Sequence, residues 1–224
     1  KRITLLIFIV LSLYSVQARS MKTIWIVGTR DGRSSEFALS PDRYEDFIRE
    51  DFGYEDTFFI PEYSSPSADF PYVRPGPGDT WGGTWNTAGW RTHEVNILFS
   101  LEKQPAGNEN FSLRVDLADF SKAFLPLVKL RVNNQVKKFQ LDVPGHDVSM
   151  QPKARMDEPL ADREKLVADA ENATPASLVL ELKGSDLKKN GNVVHITVLE
   201  GSWIKFDCVS FEGSCGVSLA PVDR

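Results

Sequence analysis

Phe111-Ser112-Leu113-Arg114-Val115-Asp116-Leu117 is the stretch that decides how this chain folds. Apolar and polar side chains alternate along it without a break. Successive side chains of an extended strand leave opposite faces, so a period of two means one face on a core and one polar face. Working outward, the same period recurs. Upstream, Val95, Ile97, Phe99 and Leu101 alternate with Asn96, Leu98 and Ser100. Nearer the start, Thr23-Ile24-Trp25-Ile26-Val27 reads as a short buried strand that stops at Gly28. Downstream, Val128, Leu130 and Val132 form a strand, and Asn133-Asn134 turns it into residues 136–141. Leu178, Leu180 and Leu182 alternate with Val179 and Glu181; Val194, Ile196 and Val198 follow the turn Lys189-Asn190-Gly191-Asn192. Ile204, Phe206 and Cys208 make the last long strand. Seven or eight such strands, mostly with one polar face, predict an all-β fold, an antiparallel β-sandwich.

Two short helices interrupt the pattern. Ser40 as N-cap, Pro41 at the first helical position and acids in the first turns predict a helix over 40–48. Charges at i,i+4 spacing predict a surface helix over 162–170. Between residues 58 and 91 lies a long segment rich in Pro and Gly, which also carries Tyr63, Phe70, Tyr72, Trp81, Trp85 and Trp90. A solvated linker is poor in aromatics, so this segment reads as a functional or lid-like loop.

The 224 residues begin Lys1-Arg2 and continue with about a dozen apolar residues and Val16-Gln17-Ala18. That is the order of a secretory signal, expected to be cleaved after Ala18, and the run is shorter than the roughly 20 residues that span a bilayer. The expectation is a secreted or periplasmic protein with no membrane span after cleavage, whose residues 19–224 form a single β-sandwich domain. Removing Lys1 and Arg2 leaves 24 cations against 31 anions. An acidic surface repels phosphate backbones, which argues against nucleic acid as a partner, and it also repels a polyuronate unless a local basic patch exists. Cys208 and Cys215 are either a disulfide closing a turn at Glu212-Gly213 or two free thiols.

Trp25-Ile26-Val27-Gly28, Gly78-Asp79-Thr80-Trp81, Trp90-Arg91-Thr92-His93, Ser112-Leu113-Arg114-Val115 and Val128-Lys129-Leu130-Arg131, in that order, resemble segments of the third domain of rhamnogalacturonan lyases, polysaccharide lyase family 4. Trp25-Ile26-Val27-Gly28-Thr29-Arg30-Asp31 through Glu36-Phe37 resembles that domain's opening, and Gly78-Asp79-Thr80-Trp81 a reduced form of its next motif. Residues 90–99, 112–118, 128–133, 189–194 and 206–212 resemble its later strands. The resemblance covers roughly residues 23–213. It implies a jelly roll of the galactose-binding-domain-like, carbohydrate-binding-module type, in agreement with the strand count. In the family the lyase chemistry sits in a separate, larger domain, so the resemblance carries over no catalytic residue.

Sugars offer apolar ring faces to aromatics and hydroxyls to planar donors and acceptors. Trp81 and Trp85 lie in the Gly-rich stretch 78–85, with Asp79, Asn86 and Arg91 close in sequence, and all are candidate carbohydrate-binding residues. The alternative is that the two tryptophans cap the core. Arg30 is a candidate clamp for a carboxylate or a partner in a surface ion pair. Glu36 and Asp207 occupy the places where jelly-roll sugar-binding modules hold a structural calcium; the alternative is that backbone amides satisfy both. His93, His146 and His195 fall in no nucleophile or metal motif. The leading expectation is a secreted, noncatalytic carbohydrate-binding domain for pectic, rhamnogalacturonan-type or related polysaccharide or oligosaccharide. The alternatives are a part of a polysaccharide-degrading enzyme whose catalytic domain lies elsewhere, and a structural interface domain.

Overall fold

The computed structural model describes residues 21–47, 49–50, 52–53, 55–79, 81, 93–143, 173–214 and 216–221. Ten strands occur among them. In chain order they are β1 (Lys22–Gly28), β2 (Thr57–Phe59), β3 (Val73–Arg74), β4 (Val95–Phe99), β5 (Asn110–Phe120), β6 (Leu127–Val132), β7 (Gln135–Gln140), β8 (Ala176–Lys183), β9 (Asn192–Glu200) and β10 (Ile204–Gly213). They form two five-stranded sheets. The first has the order β1-β10-β5-β8, with β3 also paired to β10; the second has the order β2-β4-β9-β6-β7. Every pairing is antiparallel except the parallel β2–β4 pair. The chain alternates between sheets along β4, β5 and β6, and again along β8, β9 and β10, the double-sheet winding of a jelly roll.

The alternation read from sequence sets the inner faces. Leu113, Val115, Val209 and Phe211 face inward from the first sheet; Ile97, Leu130, Val194 and Ile196 do so from the second, and all eight are fully buried. One apolar cluster joins the two inner faces. Its aromatic centre is Phe211, stacked on Trp25 at 5.7 Å between ring centroids and tilted against Phe99 at 4.9 Å. Burying each such side chain is worth roughly 1.5–3 kcal/mol.

The structure departs from expectation at several places. The helix expected over 40–48 is only a 3-10 turn at Tyr44–Asp46. Leu39 and Asp42 take left-handed backbone angles (φ 64° and 58°), on either side of a cis Ser40-Pro41 bond. Left-handed residues break a right-handed helical path whatever the capping signals say. The buried ring of Phe47, 5.7 Å from that of Phe52, fixes the segment through packing instead. The aromatic-rich segment is less irregular than expected. It holds the end of β2, a one-turn helix α1 (Pro66–Asp69) and β3. Its Phe70 and Tyr72 are fully buried core residues. The turn expected at Glu212-Gly213 is strand, since β10 runs through Gly213. Cys208 within it is a buried free thiol, whereas Cys215 and the helix expected over 162–170 lie outside the described residues.

β7 and β8 are edge strands, one in each sheet. Lys137 of β7 crosses between them and donates from Nζ to the carbonyl of Val179 in β8 at 3.0 Å.

Candidate functional site

The outer face of the first sheet collects the polar half of the alternation. Ser112, Arg114 and Asp116 point away from the core on β5, and cross-strand pairing gives each a neighbour on either side. Ser112 pairs with Glu212 and Glu181, Arg114 with Ser210 and Val179, and Asp116 with Cys208 and Ser177. Directly opposed residues share a face, so these side chains form one polar surface. A loop supplies one more. β1 ends at Gly28, whose φ is 84° and where a Cβ would lie 2.4 Å from the Phe37 ring and 2.7 Å from the Asp207 carbonyl oxygen. Only glycine turns the chain there, and the turn carries Arg30 back over the sheet.

Arg30 and Arg114 grip one carboxylate between them. Arg30 Nε donates to Asp116 Oδ2 at 2.7 Å and Arg114 Nε to Asp116 Oδ1 at 2.9 Å. Ser177 Oγ also donates to Asp116 Oδ1. The other arm of Arg30 reaches Ser210 Oγ at 3.1 Å and Glu212 Oε1 at 3.3 Å. Burial alone would raise the Asp116 carboxyl, but the donors from Ser177, Arg114 and Arg30 outweigh it and hold the group below the ordinary aspartate range. Beneath this lattice Cys208 is pushed up to about 11, chiefly by burial, which makes it an inert thiol at neutral pH.

The network forms one wall of an open groove of about 1080 Å³. Arg114, Glu212 and Ser112 line it on the side of the network, Glu181 and Lys183 from β8, and Glu109 and Asn110 at the far end, with Val179 and Leu182 as apolar floor. Lys183 Nζ donates to Asn110 Oδ1 at 2.6 Å. The volume lies just above the usual range for ligand sites, and the lining mixes carboxylates, a guanidinium, an ammonium, amides and hydroxyls. Such groups bind hydroxyl-rich ligands by hydrogen bonds. No described lining residue is aromatic.

The residues singled out in the sequence fall elsewhere, apart from Arg30. Trp81 packs its ring edge-on against Tyr44 at 5.3 Å and Phe47 at 5.7 Å, and is partly buried against the core. Asp79 is buried, accepting from the Gly76 amide at 2.8 Å and from Ser202 Oγ at 2.6 Å. Trp85, Asn86 and Arg91 lie outside the described residues. Arg30 does clamp a carboxylate, but the carboxylate belongs to the protein's own Asp116. Sequence reasoning missed Arg114, Glu181 and Glu212. Their only signal was the polar half of an alternation, which any solvated sheet face also shows.

Glu36 and Asp207 both flank the loop after β1. Glu36 accepts from the Thr29 amide, and Asp207 Oδ1 accepts from the amides of Asp31 at 3.1 Å and Gly32 at 2.8 Å. Burial nonetheless leaves the Asp207 carboxyl above its ordinary value. Among the described residues no group of three or more His, Cys, Asp or Glu side chains could hold a metal. Backbone amides thus already serve both carboxylates. A calcium ion with micromolar affinity would add about 2.7 kcal/mol of stability at a hundredfold excess over its Kd. The expected result of chelation is instead an unchanged melting temperature, checked by calorimetry with EDTA and then with millimolar calcium.

The outer face of the second sheet carries a second cluster. Glu94 accepts from Thr197 Oγ1 at 2.9 Å and Lys129 Nζ at 3.3 Å, and its other oxygen lies 3.1 Å from His195 Nδ1. Burial, together with the nearby Arg131 charge, lowers the His195 pKa. His93 is buried beside Asp56 at 3.6 Å, and His146 lies outside the described residues.

One family model spans most of the described strands. Residues 23–211 match the family described as CBM-like, polysaccharide lyase family 4, domain III. No curated protein matches the chain. Among solved structures, it is similar to a family 35 carbohydrate binding module from an environmental isolate, at 11% sequence identity over 58% of this chain and 72% of that one, with a TM-score of 0.31. With nearly the whole strand framework inside the matched span, the chain belongs to the CBM-like domain III family of polysaccharide lyase family 4.

Proposed function

We propose that this is an exported, noncatalytic carbohydrate-binding domain for pectic or related polysaccharide, and that the groove on the outer face of the first sheet is where the sugar lies. The observation that carries the reading is the joining of a carbohydrate-binding-module-like family to a groove whose side chains suit hydroxyl groups. In this reading Glu181, Arg114 and Asn110 contact the glycan. Arg30 acts through Asp116 to hold Arg114 in place. Trp85 and Arg91 remain candidates for extending the contact. Tethering a glycan next to a catalytic partner raises the local concentration of substrate.

Glu181 is exposed and makes no structural hydrogen bond among the described residues, so its removal tests binding without disturbing the fold. Glu181→Ala is expected to weaken binding of galactan oligosaccharides roughly tenfold, the effect of losing hydrogen bonds to a charged group. Its melting temperature should stay that of the wild type. Calorimetric titration reads the first and a thermal melt the second. The mixtures should show no growth of the ultraviolet absorbance of unsaturated uronate, whose appearance would mean that the chain is itself a lyase.

A second reading, a structural interface with a catalytic partner, draws on one apolar region. Phe58 and Tyr63 are 62% and 67% exposed, and the adjoining segment 60–61 borders an apolar pocket of about 300 Å³ with Leu98, Leu219 and Pro221. Binding that is blind to Glu181 but lost on Phe58→Ser would favour it.

A further inference from the structure

The charge balance of the groove selects the kind of sugar it takes. Two of its cations are already spent. Arg30 and Arg114 are both held on Asp116, and Arg30 also on Glu212. Those four groups cancel. What remains along the lining is Glu109, Glu181 and Asp186 against the single cation Lys183. The groove is therefore negative on its own account, inside a chain whose net charge is −5.

Lys183 Nζ donates to the neutral Asn110 Oδ1 at 2.6 Å and remains one cation against three carboxylates. The charge of the two guanidiniums is already balanced by Asp116 and Glu212, so a uronate gains little net attraction from them. Lys137 of β7 reaches the rim of the groove but is held on the Val179 carbonyl at 3.0 Å. Lys129 and Arg131 of β6 share the outer face of the second sheet with Lys138 of β7, against Glu94.

We infer that the groove binds an uncharged saccharide stretch and rejects uronate residues. Carboxylates accept pairs of hydroxyl hydrogens from a neutral sugar, whereas a sugar carboxylate in the same place would face two or three like charges. At separations of 5–6 Å near a surface, each like charge costs enough to change affinity several-fold, so roughly tenfold discrimination is expected from two of them. This rests on the groove being the sugar site, as proposed above.

The test is a pair of probes of equal length and opposite character, galactotetraose and tetragalacturonate, followed by the amide shifts of residues 110–114 and 179–183. Galactotetraose should move these amides with a Kd that does not change between low and physiological salt. Tetragalacturonate should need at least a tenfold higher concentration to move them, and should bind better as salt screens the repulsion. Glu181→Gln should narrow the gap, and Glu181→Lys should close or reverse it. Movement of the groove amides by tetragalacturonate at equal or lower concentration would overturn the inference while leaving the groove as a sugar site. If neither probe moves them, the groove reading and the inference fall together.

Discussion

Phe211→Ala is expected to lower the unfolding free energy by about 4 kcal/mol, within the 3–5 kcal/mol that large buried rings typically cost when cut back to a methyl. Phe211 is fully buried, and three other rings surround it: Trp25 at 5.7 Å, Phe99 at 4.9 Å and Phe111 at 6.0 Å. Those rings come from both sheets, and each is held by strand pairing on its own side. They cannot close over the gap without parting the sheets from their hydrogen-bonded registers, so the cavity stays open. Native domains have only about 5–15 kcal/mol in total, so this one change removes a large share. Phe211→Leu refills most of the volume and should cost less than half as much. Urea denaturation of the three proteins with a common m-value gives the comparison. A loss under about 2 kcal/mol for the alanine variant would mean that the two sheets relax toward each other and that the sandwich is not anchored at this ring.

Asp116→Ala is expected to cost about 3 kcal/mol at pH 7, the low end for removing one partner of a buried ion pair, because both arginines keep substantial solvent exposure. The loss should depend on pH in a set direction. The Asp116 carboxyl titrates below its ordinary value near 3.8 in the folded chain, so the folded state binds its proton less readily than the unfolded state does. Its contribution is fully present above about pH 5 and disappears as pH falls through that depressed value. The wild-type advantage over Asp116→Ala should therefore shrink only below about pH 4, seen in denaturation curves collected across that range. Adding Arg30→Ala to the variant should cost less than the two single changes together, since Arg30 in Asp116→Ala has lost its shortest contact and keeps only those to Ser210 and Glu212. A strictly additive double variant would show that the two groups do not stabilise each other. The same substitution frees Arg114 on the wall of the groove and should make the site more tolerant of acidic sugars.

The strand framework was legible because one physical rule governs it. Alternation places Leu113, Val115 and Leu117 inward, and they are buried where the rule puts them. The segment over 40–48 was not legible, because Ser40 and Pro41 are equally good at starting a helix and at making a turn, and the choice is settled by packing around Phe47. β2 and β3 were missed because they have only three and two residues, too short for a period to show. Aromatic richness misled in one respect. Phe70 and Tyr72 were read as part of a loop, yet their rings fill the core beside Phe206. The groove depends on register. Arg30 meets Asp116, 86 positions along the chain, only because Gly28 lies opposite Cys208 and Cys208 opposite Asp116. No local reading of either residue contains that alignment.

The Lys137 ammonium placed across the open side of the sandwich has a consequence for behaviour at high concentration. An unpaired strand edge is a template on which another chain can add a strand, and repeated addition leads to fibrils. At Val179 the carbonyl that such a strand would need is already taken, and the group that takes it brings a positive charge that a second copy of the same edge would also bring. Two molecules meeting edge to edge would have to break both contacts and bury both charges. The side chain therefore protects the colloidal solubility of a β-rich chain, independently of anything it adds to the stability of a single molecule.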